Sequence, residues 1–189
     1  MTDPHVCERC GQQGTSCCVL TPGQEQHCFP LSAAERERIL SYCGDAGAFA
    51  LEVNTGAFVL GVKRAFPGDE DAIAALFPVD GHSTHYRLAT HAGGACVLLG
   101  PEGCVLPREV RPYYCQLFPF WVARGRVMIF ASQTCLAQQT STAFGRLSAM
   151  LGTTEKEVRR LHGQLRLAWG LDPQDGEPTD SKRHKRFDI

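Results

Sequence analysis

The sequence has no apolar run approaching the roughly 18–20 residues that cross a bilayer. Its most apolar stretch, 46–62, is interrupted by Glu52, Asn54 and Thr55. It has almost no net charge, −1 at pH 7, which argues against whole-protein attraction to a nucleic-acid duplex or an anionic membrane. The opening Met1-Thr2-Asp3-Pro4-His5 lacks the basic start and apolar centre of an export signal. No phosphate-cradling glycine loop, G-x-S-x-G, H-E-x-x-H or dinucleotide fingerprint occurs. The expectation is a soluble, cytoplasmic protein with no membrane or nucleic-acid partner and no catalytic constellation of its own.

One residue type is abundant. Ten of the 189 residues are cysteine, well above ordinary usage in a cytosolic chain of this size. Five disulfides would use them all, but thiols stay reduced in the compartment that the missing signal implies. Abundant cysteine in a reducing compartment points to metal.

The chain length suits a single domain, expected over 1–172, with a disordered polar and basic tail over 173–189. Ser32-Ala-Ala-Glu35 is a capping box, and Gly44 is placed to end the helix that it starts. Arg36, Ile39, Leu40 and Cys43 follow helical spacing and put Cys43 on or near the inner face, as a small core residue. Residues 45–66 fit a helix or short strands equally well. Asp69-Glu70-Asp71 load acid into the first turn of a helix that Pro78 stops, and 84–90 fits a strand.

Two hairpins are expected, one turning through Gly100–Gly103 and one through Arg124-Gly125, with an irregular proline-bracketed segment over 111–120 between them. A helix carrying Phe144, Leu147, Met150 and Leu151 stops at Gly152. Thr154-Glu-Lys-Glu157 then caps a last helix that buries Val158, Leu161, Leu165 and Ala168 or Trp169. The fold class expected is α+β: a small, irregular, cysteine-rich core with short β-hairpins and flanking helices, organised by metal.

The cysteines are patterned. Cys7-x2-Cys10 has the spacing with which one turn presents two sulfurs to one ion. Gly11 and Gly14 flank the loop leading to the vicinal Cys17-Cys18, and Cys96, Cys104, Cys115 and Cys135 recur beside Gly or Pro turns. Thiolate is the soft ligand that zinc and iron–sulfur clusters select.

Cys7-x2-Cys10, Cys17-Cys18, Cys96, Gly103-Cys104, Arg111-Pro112-x2-Cys115, Phe118-Pro119-Phe120 and Cys135 together resemble the YkgJ family of cysteine-cluster proteins. The family is described as zinc- or iron-chelating, and a related cluster occurs in flagellin lysine methylases. The resemblance spans roughly residues 7–135. Carried over residue by residue, it implies Cys7, Cys10, Cys17, Cys18, Cys96, Cys104, Cys115 and Cys135 as ligands of a 4Fe–4S cluster or zinc. Eight sulfurs could fill two four-cysteine sites, or one site with the rest structural.

Four thiolates leave a metal site with net negative charge, which a guanidinium at Arg111 would offset. Phe118, Phe120 and Trp121 would screen the site from water. Dispersed single cysteines beside prolines fit an iron–sulfur cluster somewhat better than zinc, whose sites usually unite two C-x2-C pairs. Cys28, beside His27, reads as a semi-buried thiol. His82, His85 and His91 share no helix face and read as loop histidines.

Two other uses stay open: a thiol-redox protein acting through Cys7 and Cys10, and an accessory module of a methyltransferase-type enzyme. The latter would need a protein partner, because the chain shows no cofactor domain for that chemistry.

Overall fold

The computed structural model describes residues 6–12, 16–24, 27–44, 46–173 and the backbone of 186–187. The architecture is α+β. Helices α1 (Val6–Gln12) and α2 (Ala33–Cys43) come first, followed by strand β1 (Phe49–Val53) and helices α3 (Gly56–Ala65) and α4 (Glu70–Leu76). Strands β2 (Thr84–Leu88), β3 (Leu99–Gly100) and β4 (Gly103–Cys104) then lead to α5 (Tyr113–Leu117). β5 (Phe120–Ala123), β6 (Arg126–Phe130), α6 (Leu136–Thr140), α7 (Phe144–Met150), α8 (Glu155–Ala168) and β7 (Arg186–Phe187) complete the order. No helix among the described residues is long and apolar enough to cross a membrane.

The caps read from sequence operate as expected. Ser32 Oγ accepts the Glu35 N–H while Glu35 Oε2 accepts the Ser32 N–H, and Gly44 closes α2 at φ 67°. Of the residues spaced along α2, Ile39 is fully buried, Cys43 is half-buried, and Leu40 faces solvent. The ambiguous 45–66 stretch contains both alternatives, β1 and then α3, with Thr55 Oγ1 capping α3 by accepting the Phe58 N–H. At α8, Thr154 Oγ1 accepts the Glu157 N–H, and the Glu157 carboxylate is clasped by Arg160 at 2.6 and 2.7 Å.

β1 and β2 pair antiparallel from Phe49↔Leu88 to Val53↔Thr84, and β3 and β4 form the short hairpin through Gly100 and Gly103. β5 and β6 form the second hairpin. Its turn residues Arg124 and Gly125 have φ 50° and 70°, the doubly left-handed form of a two-residue hairpin. The segment expected to be irregular holds one helical element, α5, before Phe118-Pro119, whose peptide bond is cis. Of the segment expected as a tail, Pro173 and the pair 186–187 are described. The pair runs parallel to the end of β6, and the rest lies outside the described residues.

Burial divides between two clusters. The larger gathers Phe58, Phe66, Trp121, Leu117, Leu147, Leu161 and Leu165 from α3, β5, α5, α7 and α8. Phe29 is stacked between Tyr114 (4.5 Å, 8°) and Trp169 (5.3 Å, 17°), with Trp121 edge-on at 5.4 Å. Such pairs contribute about 0.5–1.5 kcal/mol each beyond their buried area. Trp121 Nε1 donates to Ala65 O at 2.7 Å, so its polar edge is satisfied inside. The smaller cluster joins Ile39, Ala48, Leu98 and Leu106, with Cys43, Cys96 and Cys104 packed against it. Cys43 is thus the core-packed cysteine that its helical position suggested.

His85 departs from its expected loop setting. It lies in β2, buried, with Nδ1 2.8 Å from Asn54 Oδ1 and its ring 3.7 Å from that of Phe58. Strand alternation sends His85 and Arg87 to the same inner face, a pattern masked by reading the three histidines as one group. His82 and His91 are exposed.

Candidate metal centre

Nine cysteines line one cavity of about 400 Å3. They comprise all eight that the resemblance implied, Cys7, Cys10, Cys17, Cys18, Cys96, Cys104, Cys115 and Cys135, together with Cys28. None of the ten cysteines forms a disulfide. The cavity lies where the two hydrophobic clusters meet: Tyr114, Phe29 and Cys135 belong with the larger one, Leu106, Cys96 and Cys104 with the smaller.

Each segment reaches the cavity for a local reason. Cys7 and Cys10 stand three apart on α1, which places them on one helix face. Gly11 lies within α1 and not in a loop. A Cβ there would sit 3.2 Å from Gly103 Cα, so its missing side chain lets β4, and with it Cys104, close on the helix. The Cys10 thiol donates to Thr134 O at 3.7 Å, tying α1 to the turn that carries Cys135 at the start of α6.

Cys18 and Cys96 are joined through backbone. Val19 bridges Ala95 antiparallel, Leu20 N donates to Gly94 O (2.8 Å), and Cys96 N donates to Cys18 O (2.7 Å). Gly94, at φ 84°, permits this approach, because a Cβ there would lie 1.7 Å from Leu20 O. Cys115 rides on α5, whose first N–H, that of Tyr113, donates to Glu35 Oε1 at 2.8 Å. The carboxylate that caps α2 therefore also seats the helix bearing Cys115.

Arg111 is half-buried and lines the same cavity. Its Nε donates to Leu106 O at 2.9 Å, which fixes the guanidinium. Its main-chain carbonyl accepts Arg38 Nη2 (2.9 Å) and Gln116 Nε2 (2.7 Å). Phe118 lines the cavity, whereas Phe120 and Trp121, expected as screens, are buried in the larger core. Phe29 and Tyr114 provide the aromatic wall in their place.

The thiols are electrostatically strained. Burial raises the pKa of Cys7, Cys104 and Cys135, with the Arg111 charge opposing it at Cys7 and Cys104. Burial pushes Cys96 up to about 11 and Cys115 well above the ordinary thiol range. Cys7, Cys17 and Cys115 keep accessible surface, and all three line the cavity. Cys18 is the exception. The Cys17 thiol donates to it, the Ser16 hydroxyl and Arg111 add to the effect, and its pKa falls to about 7. Cys17, as the donor, is raised well above its usual value.

Among the described residues, no three Cys, His, Asp or Glu side chains stand together as a closed single-ion site. The thiols ring the cavity without converging on one point. Sequence reasoning placed Cys28 apart from the others; its neighbour Pro30, which also lines the cavity, is the kind of turn signal that marked the other cysteines.

No family model, curated protein or solved structure matches the chain.

Proposed function

We propose that the chain is a metalloprotein that holds an iron–sulfur cluster or zinc in the thiol cavity, through ligands drawn from Cys7, Cys10, Cys17, Cys18, Cys96, Cys104, Cys115 and Cys135, in the manner of the YkgJ family that it resembles. The observation that carries this reading is the gathering of nine of the ten cysteines on one cavity, with Cys43 outside its lining.

The donor set fits. Buried thiols with raised pKa values need a positive charge to become thiolates, and a bound metal supplies it. Arg111 offsets the negative charge that remains. A ring of sulfurs around a cavity of about 400 Å3 suits a multi-atom iron–sulfur core, since a lone zinc draws its ligands to about 2.3 Å. When bound, a cluster would supply one-electron chemistry and zinc would supply a structural or Lewis-acid centre.

Ten thiols without a disulfide also fit a reducing compartment, and we place the protein in the cytoplasm. A methyltransferase-type accessory role would be exercised through a protein partner. The vicinal Cys17-Cys18 pair, in which the Cys17 thiol donates to Cys18 and lowers its pKa, favours a thiol-redox protein as the second reading.

Elemental analysis and the visible spectrum of anaerobically purified protein test both. Iron with sulfide-to-iron absorption, or stoichiometric zinc, is expected in the wild type and in Cys43→Ser, and a loss of at least half in Cys115→Ser. Equal metal content in the two variants would remove the site from this cavity. Metal-free protein with a reversibly titrating thiol pair would establish the redox reading instead.

A further inference from the structure

A second cavity, of about 40 Å3, adjoins the first and shares Cys7, Arg111, Cys115 and Phe118 with it. Its own walls add Arg108, Thr153 and the side chains around them. Two features set it apart from a packing defect. Two guanidinium groups border it and no carboxylate does. In addition, the Thr153 hydroxyl is buried without a hydrogen-bond partner, in a residue only 9% exposed. Thr154, not Thr153, caps α8, so capping does not account for the hydroxyl.

The nearby acids are committed elsewhere. Glu157, which feels the Arg108 charge, is clasped by Arg160. Glu35, whose charge reaches Cys115, accepts from Ser32 and Tyr113. The arginines are anchored but not exhausted. Arg108 Nη1 donates to Leu151 O at 2.9 Å, Arg111 Nε donates to Leu106 O at 2.9 Å, and Arg111 also reaches the Cys104 thiol. A guanidinium carries five N–H groups, which leaves donors on both for a ligand.

Two arginine forks, Arg108 exposed and Arg111 half-buried, with a hydroxyl beside them are a recognition set for a tetrahedral oxyanion. A water-sized body occupies roughly 10–15 Å3 in such a space. The cavity of about 40 Å3 therefore has room for a small inorganic anion.

We propose that this cavity is a binding site for a small inorganic oxyanion of phosphate or sulfate size, held by Arg108, Arg111 and Thr153. Arg111 and the thiols of Cys7 and Cys115 border both cavities, so metal-bound thiolates would weaken anion binding, and Arg108 with Thr153 is the part of the site that does not depend on them.

The test titrates inorganic phosphate, and separately sulfate, into the full chain by calorimetry, with thermal unfolding followed in parallel. Ionic strength is held constant with chloride. One-to-one saturable binding of at least one anion is expected, with a midpoint that rises with its concentration. Arg108→Gln should weaken that binding at least tenfold. Thr153→Val, which keeps the side-chain shape, should weaken it roughly tenfold. Arg146→Gln, on the exposed side of α7, should leave it unchanged. Two results would overturn the proposal and mark the cavity as a water pocket: stabilisation no greater than chloride gives, or wild-type affinity in both Arg108→Gln and Thr153→Val.

Discussion

Gly94→Ala probes how the thiol cavity is assembled without touching a cysteine. The backbone there has φ 84°, and an L side chain in left-handed backbone costs about 1–2 kcal/mol. The new Cβ would also lie 1.7 Å from Leu20 O, where real contacts essentially never fall below 3.0 Å. The 16–20 segment must then withdraw. That breaks the Leu20 N–Gly94 O and Cys96 N–Cys18 O hydrogen bonds, each contributing about 0.5–1.5 kcal/mol. The expected destabilisation is about 2–5 kcal/mol, read as a lower urea midpoint at an unchanged slope. Cys18 retreats from Cys96 at the same time, so on the proposed reading metal per chain falls. Gly93→Ala is the matched control. Nothing lies within 4 Å of a Cβ added there and its backbone is not left-handed, so its midpoint should stay within about 0.5 kcal/mol of wild type. Indistinguishable midpoints and metal contents for the two variants would refute the idea that this backbone clasp builds the site.

Two further outcomes concern the scaffold. Burial, reinforced by the Arg166 charge, lowers the His162 imidazole to about 4 from its ordinary 6.5, so the unfolded chain binds the extra proton between those values. Stability is full above pH 6.5 and falls as pH drops toward 4, by up to about 1.4 kcal/mol per pH unit from this group. His162→Leu should reduce, without abolishing, the fall in urea midpoint over pH 6.5–4.5, because burial lowers His85 to about 4 as well, and a wild-type slope in the variant would exclude His162 as a source. Arg166, only 2% exposed, holds Asp69 through contacts of 2.7 and 3.1 Å. Asp69→Ala strands that charge and should cost about 3–5 kcal/mol in the same assay, whereas a loss below 1 kcal/mol would show that the pair is solvated.

Elements governed by local chemistry were legible in the sequence. The Ser32–Glu35 box, the Gly44 stop, the Thr154 cap and both hairpins depend on residues within a turn of one another, and each lies where its signals put it. What the sequence hid was long-range. α1 appears because packing against β4 and α6 stabilises seven residues that include two cysteines and the poor helix former Gly11. Asp69, expected as acid in the first turn of a helix, precedes α4 and gives its carboxylate to Arg166. His85 is buried because it alternates with Arg87 on one face of β2, and no spacing among His82, His85 and His91 could reveal that. The gathering of the cysteines was legible as a pattern of types beside turns. Cys28 was less so, because its membership depends on where Phe29 inserts between Tyr114 and Trp169.

The hydrogen bond from Cys10 to Thr134 spans 124 residues, and this distance sets a timetable for biosynthesis. A ribosome adding about 5–20 residues per second needs roughly 6–25 s to make that stretch. The earliest cysteines thus leave the exit tunnel well before the last sulfurs that will face them. Throughout that delay the nascent chain carries its first thiols without the segments that will later wall their cavity.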